Sequence, residues 1–138
     1  MAEIVTAETW LYSTLHGDST LLALCTGGVF TWPVPATYTQ PYVLYQMQSG
    51  MDIGLYGPSR AGVNGLWLVR AVAEAWSFGG NLQAAANRID ALLQLGARTA
   101  VTGGAIFGCA RMEPFQLVEL ADGRQFRHLG GIYRIFVT

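Results

Sequence analysis

Leu66-Trp67-Leu68-Val69-Arg70-Ala71-Val72-Ala73 is the stretch that decides the fold, because seven of its eight residues are apolar. A short run of this kind, bounded by glycine and rich in β-branched and aromatic residues, is typical of a strand buried on both faces. It is much shorter than the ~18 apolar residues of a membrane helix, and Arg70 interrupts it. We therefore expect it to be a central strand of a sheet.

A helix is predicted on the C-terminal side of this strand, over residues 82–95. Asn81 is a candidate N-cap, and Gly96 directly follows the periodic segment. The side chains spaced for a helical core face are Leu82, Ala85, Ala86, Ile89, Leu92 and Leu93.

The remainder of the chain, after this helix, is predicted to be β structure. Residues 105–112 and 115–120 form one run that is broken at Pro114. The dipeptide Asp122-Gly123 indicates a hairpin turn, after which 125–137 return. Gly130-Gly131 within the returning strand predicts a β-bulge.

The N-terminal part is predicted to contain two helices and two strands. An apolar stripe indicates a helix over 4–15, and Asp18 can cap a second, short helix. Residues 29–32 predict a short strand that Pro33 and Pro35 close. Alternating side chains over 42–48 predict a second strand.

These elements follow the order α-α-β-β-β-α-β-β. Hairpins on both sides of the main helix imply a mostly antiparallel sheet with helices packed on one face, which is an α+β fold. The 138 residues fit a single domain, 1–138, without an internal repeat or a linker.

Residues 49–65 are predicted to form a long loop, because they contain Gly50, Gly54, Gly57, Gly62 and Gly65. At about 17 residues the segment exceeds an ordinary connection, which indicates a mobile or functional loop. A β-hairpin arm with the same turn residues is an alternative. The apolar side chains of Ile53, Leu55 and Tyr56 are candidate assembly contacts, and Arg60 is a candidate charge partner.

The charge content limits the possible functions. Charged residues make up 12% of the chain, and there is none from Ser19 to Met51. Ordinary soluble domains contain roughly twice as many, so we expect partner subunits to cover part of the surface, including the stretch from Ser19 to Gln48. The net charge of −1 does not indicate a general grip on nucleic acid. Met1-Ala2-Glu3 has no basic region followed by an apolar core, so we expect a soluble chain that is not exported.

A serine nucleophile is the nearest approach to a catalytic motif. Gly57-Pro58-Ser59-Arg60-Ala61 loosely matches a nucleophile elbow, and Asp122 and His128 follow in the order that an α/β hydrolase uses. No strand leads tightly into Ser59 and the chain is short for a hydrolase sheet. An exposed loop serine is therefore the preferred interpretation, and no catalytic residue is predicted.

No metal or cofactor site is predicted either. His16, His128, Cys25 and Cys109 do not have the spacing of zinc ligands, and the two cysteines are expected to be buried free thiols. The glycine-rich segment 103–108 lacks both the Rossmann spacing and the P-loop lysine, so a turn accounts for it.

The order of several short segments resembles a family of small phage proteins. Leu21-Leu22-Ala23-Leu24, Gly28-Val29-Phe30, Pro33-Val34-Pro35 and Pro41-Tyr42-Val43 occur in that order. They are followed by Leu66-Trp67-Leu68-Val69, Arg88-Ile89-Asp90-Ala91-Leu92-Leu93 and Gly130-Gly131-Ile132-Tyr133-Arg134-Ile135. From about Trp10 to Val137 this is similar to the tail-completion proteins of long-tailed phages, which include tail terminators and tail-to-head joining proteins.

The resemblance implies a structural protein of the virion and not an enzyme. Members of the family are sheets with a flanking helix and form hexameric rings at the head-proximal end of the tail. Such a ring stops polymerisation of the tail tube and provides the surface that the filled head joins. The expected partners are other copies of the chain, the tail tube protein and a neck or head-closure protein. No membrane is involved, DNA is only cargo passing through the ring, and assembly takes place in the host cytoplasm.

Three alternatives remain open from the sequence. The first is another ring of the phage neck, such as a head-closure or adaptor protein. The second is a small serine hydrolase built on Ser59, and the third is a small-ligand binding module that uses the aromatic-rich sheet. The resemblance transfers no catalytic or binding residue to this chain.

Overall fold

The computed structural model describes residues 2–31, 34, 39–55, 57, 59–74 and 79–138. The three helices in this part of the chain are α1 (Ala2–His16), α2 (Ser19–Leu24) and α3 (Gly79–Leu93). None of them is long and apolar enough to cross a bilayer. The predicted cap of α2 is confirmed, because the Asp18 carboxylate accepts a hydrogen bond of 2.9 Å from the Leu21 amide.

The described strands form one six-stranded sheet in the order β1-β2-β3-β6-β5-β4. Their bounds are β1 (Val29–Thr31), β2 (Tyr42–Gly54), β3 (Arg60–Glu74), β4 (Thr99–Val101), β5 (Gly104–Ala121) and β6 (Arg124–Val137). Only the β1–β2 pair is parallel. The predicted α+β class and the element order are confirmed, and β4 is an additional three-residue strand between α3 and β5.

One face of the sheet carries the helices. α1, α2 and α3 contribute Leu11, Leu21 and Ile89, among others, to the same buried cluster as Val69 and Ile135 of the central strands. The predicted core face of α3 is confirmed by buried Leu82, Ala85, Ile89 and Leu93, while Ala86 and Leu92 are half-buried. The opposite face has no helix among the described residues and holds a smaller cluster of Tyr42, Leu44, Val72 and Phe126.

The long loop predicted over 49–65 is wrong, and the alternative of a hairpin arm is correct. β2 continues to Gly54 and β3 begins at Arg60, so only 55–59 connect them. Two glycines in this segment make room for neighbouring side chains. A Cβ on Gly65 would lie 3.0 Å from the Trp67 indole nitrogen, and one on Gly50 would overlap the end of Met47. We call residues 51–60 the arm.

The predicted bulge at Gly130-Gly131 is also wrong. Both glycines are in regular register with β3 and with β5, and the nearest irregularity lies in β5 between Arg111 and Glu113, which pair with Tyr133 and Ile132. A Cβ on Gly130 would overlap the Val69 carbonyl oxygen, and one on Gly131 would lie 2.8 Å from the Arg111 Cδ. The two glycines therefore allow neighbouring atoms to pack closely against β6, and they do not mark the extra residue of a β-bulge.

Two further boundaries differ from the sequence prediction, and a third cannot be compared. Pro114 does not interrupt β5. Within the described residues β4 pairs only with Gly104–Ile106, so no strand beside the outer edge of β5 requires a backbone N–H donor at Pro114. Asn81 is the third residue of α3 and not its cap. The predicted strand-closing residues Pro33 and Pro35, together with Trp32, lie outside the described residues.

The Asp122-Gly123 hairpin turn is confirmed. Both residues have positive φ, 53° and 74°, as a two-residue turn of the primed type requires. The turn sets the register in which β5 runs back along β6 from Ala121↔Arg124.

Candidate assembly surface

The structure does not bring the candidate triad residues together. Ser59 lies in the connection at the tip of the arm, whereas His128 is paired with Val72 near the other end of β3. The 12 residues from Arg60 to Val72 correspond to roughly 40 Å of strand. Asp122 lies in the β5–β6 turn, beyond His128 and further from Ser59. Ser59 therefore has neither candidate partner within reach, which removes the geometric basis of the hydrolase hypothesis.

The candidate metal ligands are equally dispersed. Among the described residues no group of three His, Cys, Asp or Glu side chains could hold a metal ion. Cys25 and Cys109 are buried free thiols, and burial raises the pKa of each to about 12. The glycine-rich segment 103–108 begins with a turn, as predicted, in which Gly103 has a φ of 91° and connects β4 to β5.

A buried polar cluster lies on the helix-free face and was not predicted from the sequence. The Arg70 Nε donates to the His128 Nδ1 over 3.0 Å, and the Arg70 Nη2 donates to the Gln46 Oε1 over 3.1 Å. Arg70 is 7% exposed and His128 is 5% exposed. The Glu119 carboxylate is 3.8 Å from the His128 Nε2. The only signal for this cluster was a charged residue inside the most apolar strand.

This geometry keeps His128 neutral. Burial lowers the pKa of the imidazole and the adjacent Arg70 guanidinium lowers it further, whereas Glu119 acts in the opposite direction. The Nδ1 must be unprotonated to accept the hydrogen bond from Arg70. Burial also lowers the pKa of Arg70. The cluster connects β2, β3 and β6 across the centre of the sheet, which is a structural role.

We expect the chain to lose stability as the pH falls below about 6.5, the ordinary pKa of histidine. A histidine with a lowered pKa in the folded state binds its proton more readily in the unfolded state, so its contribution is complete above this pH and is lost below it. His128→Asn keeps an acceptor near the Nδ1 position and should flatten this dependence. Urea unfolding at intervals from pH 8 to pH 5 measures it, and parallel curves for the two proteins would contradict the prediction.

The arm has exposed apolar side chains and the carboxylate of Asp52, which forms a long ion pair with Arg60. Leu55 is 57% exposed, Met51 is 65% exposed and Ile53 is half-buried. Tyr56, the remaining apolar candidate contact, lies outside the described residues. The Asp52 side chain is 67% exposed, and its Oδ1 is 3.9 Å from the Arg60 Nε.

Arg60 is already engaged within the chain, which the sequence did not indicate. Its Nε and Nη2 donate to the two carboxylate oxygens of Glu3 over 2.9 and 3.1 Å. These hydrogen bonds are the main cause that lowers the pKa of Glu3 to about 2. The pair connects the first turn of α1 to the arm beside its tip, where Arg60 pairs with Gly54, and so favours one orientation of the arm.

A groove of about 400 Å³ lies on the helix side of the sheet, between α3 and strands β5 and β6. Gln83 and Asn87 line one wall, while Phe115, Arg111 and Arg127 line the other. Arg111 has a distant ion pair, in which its Nε is 3.9 Å from the Asp90 carboxylate. Arg127 has a buried Nε without a hydrogen-bond acceptor and no ion pair in the described part of the chain. We call this the α3 groove.

Two edges of the sheet are open at opposite flanks. Within the described residues β1 covers β2 only from Val43 to Tyr45, so the rest of the β2 edge, which continues into the arm, has no neighbouring strand. In the same part of the chain, the β5 edge is open beyond the bridge between Leu95 and Cys109. This second edge carries the exposed apolar side chains of Met112, Leu117, Val118 and Leu120. Open strand edges with apolar side chains are ready sites of protein association.

Part of the uncharged stretch from Ser19 to Gln48 lies in the core, so not all of its described residues are available as surface. Residues 41–45 are all buried in the single chain, as are Leu21 and Cys25. The exposed apolar side chains instead lie mainly on the arm and on β5.

Comparison with known proteins shows a similarity of fold but no match in sequence. No protein-family model matches the chain, and no curated protein matches it. The fold is similar to that of a chain in a solved structure described as the virion of a native gene transfer agent (GTA) particle. The TM-score is 0.65 and the sequences are 20% identical over 92% of this chain and 90% of that chain. At this identity the likeness shows a common fold.

Proposed function

We propose that this chain is a structural virion protein that forms a ring of six copies at the head-proximal end of a phage tail tube. The ring stops tube polymerisation and provides the surface that the head joins. The observation that carries the proposal is the fold shared over almost the full length of both chains with a chain from a GTA virion. The sequence resemblance to tail-completion proteins supports the same role.

The distribution of surface features supports an assembly role over catalysis. Ser59, Asp122 and His128 lie at separate places in the fold, the first two in different connections and the third in β6. In contrast, the arm and the open β5 edge present apolar side chains at opposite flanks. A ring uses a heterologous contact, in which one patch meets a different patch of the next copy, and therefore needs two such patches.

Deletion of the gene in the phage that carries it tests this proposal. Overlong tubes without heads are expected for a tail terminator. Tails of normal length without heads would assign the chain to the second candidate, a head-closure or adaptor ring of the neck. Unchanged particles would refute both roles.

The arm tip is expected to be needed for capping but not for folding. Replacing Ile53, Leu55 and Tyr56 together by Ser removes the apolar candidate contacts, since apolar anchors on a protruding element are typical hot spots of an interface. We expect normal folding, measured by circular dichroism and urea unfolding, with loss of tail capping in the deletion background. Tyr12→Ser, at an exposed aromatic residue of α1 outside the arm, is the control and should cap tails. Normal tails with the triple variant would rule out the arm as a contact.

A further inference from the structure

We propose that the arm of one copy docks into the α3 groove of the next copy, with Asp52 of the arm paired to Arg127 of the groove. This deepens the ring proposed above and rests on it. The occupant of the groove is thus a second copy of this chain. Arm and groove belong to the two halves of the sheet, β2–β3 and β6–β5.

The position of the two surfaces suits a head-to-tail contact. Asp52 of the arm pairs with Val63, the β3 residue that pairs with Val137, and the arm continues past this end of β6. The groove lies near Gly130, which pairs with Arg70. The seven residues of β3 from Val63 to Arg70 correspond to about 23 Å. A chain cannot place its own arm in its own groove at this separation, whereas a neighbour can.

The charges of the two surfaces are complementary. Arg127 has no acidic partner in the described residues, and its Nε is buried without an acceptor. Asp52 is 67% exposed and lies 3.9 Å from Arg60, which already gives its Nε and Nη2 to Glu3. A carboxylate that reaches Arg127 would satisfy an unpaired guanidinium in a partly enclosed site, where charge pairs contribute more than at an open surface.

The polarity of the two surfaces is also compatible. In the arm, Met51 and Leu55 are both more than half exposed, and Asp52 and the half-buried Ile53 lie between them in the sequence. The groove offers Phe115 and Leu129 as apolar contacts, with polar side chains of α3 on the opposite wall. Among the described residues the outer edge of the β2 part of the arm has no neighbouring strand, so its backbone amides and carbonyls can bond these polar side chains.

Charge reversal provides a test that uses both surfaces. Asp52→Lys and Arg127→Glu are each expected to reduce the yield of normal particles by about tenfold or more in the deletion background. Carrying both changes in one chain should restore it. Co-expression of the two single variants should restore it too. In a ring with an even number of copies the two variants can alternate. Each arm with the lysine then meets a groove with the glutamate, and each native arm meets a native groove.

The controls separate this contact from folding and from the ring itself. Urea unfolding of each purified variant checks that a loss of particles does not reflect an unfolded chain. Asp122→Asn, at an exposed residue of the β5–β6 turn, is the matched control and should leave the yield of particles unchanged. If both single variants of a folded chain complement the deletion fully, the arm–groove contact is wrong while the ring stands. Folded single variants that fail and are not restored by combination also overturn the contact. A deletion without any tail or head defect refutes the proposed function itself.

Discussion

Gly130→Ala is expected to destabilise the chain by about 3 kcal/mol or more, a large share of the total stability of a domain of this size. The added Cβ would overlap the Val69 carbonyl oxygen and lie 2.6 Å from the Arg70 Cα. Both atoms belong to the backbone of β3, which is paired on both sides, so no side-chain rotation relieves the contact. The methyl group would have to separate β3 from β6 at the centre of the sheet.

Gly54→Ala is the matched control for this prediction. Gly54 also lies in a strand, and a Cβ there has no atom within 4 Å. Its replacement should change the free energy of unfolding by less than about 0.5 kcal/mol. Urea unfolding of the two variants measures both values, and equal stabilities would show that the β3–β6 packing at Gly130 tolerates a side chain.

The main elements could be predicted because their signals are local. The continuous apolar content of 66–73 predicted the central strand, and the spacing from Leu82 to Leu93 predicted the core face of α3. Asp18 and Asp122-Gly123 were identified from cap and turn chemistry that acts within a few residues. These predictions are confirmed because each helix, strand or turn is determined by side chains that lie within or next to it in the sequence.

The glycines of the sheet were misinterpreted for a common physical reason. Gly50 and Gly65 make room for side-chain atoms two or three residues away, and Gly130 makes room for the Val69 carbonyl oxygen, which is distant in sequence. None of the three glycines forms a turn. The sequence shows that a side chain is missing but not what occupies the space. Glycine-rich segments 49–65 and 130–131 therefore predicted a loop and a bulge where the chain forms paired β structure.

The α3 groove could not be predicted because it is assembled from three elements. Gln83, Arg111 and Arg127 are separated by many residues and meet only when α3 packs across β5 and β6. The chain contains eight arginines and no lysine, but the sequence does not show which arginines have acidic partners. In the same way it identified Arg60 as a candidate charge partner of a neighbour but did not show that Arg60 pairs with Glu3 at the start of α1.

The ring proposal places different demands on the core and on the two assembly surfaces. Residues on the helix side of β3 and β6 stabilise the single chain, while the arm and the α3 groove are available to a neighbour. Substitutions in the core should therefore reduce folding and assembly together, and substitutions in the arm or groove should reduce assembly alone. This difference allows a loss of tails to be traced to the correct cause.

Leu11→Ala is expected to cost about 2–5 kcal/mol, because Leu11 is fully buried between α1 and the sheet and its loss leaves a cavity. Val5→Ala on the same helix is the control, since Val5 is 59% exposed, and it should change stability by less than about 0.5 kcal/mol. Urea unfolding with hydrogen exchange of the arm amides measures the effect. Because Glu3 of α1 binds Arg60, loosening α1 should also increase exchange in the arm. Unchanged exchange in a clearly destabilised variant would show that the arm holds its position independently of α1.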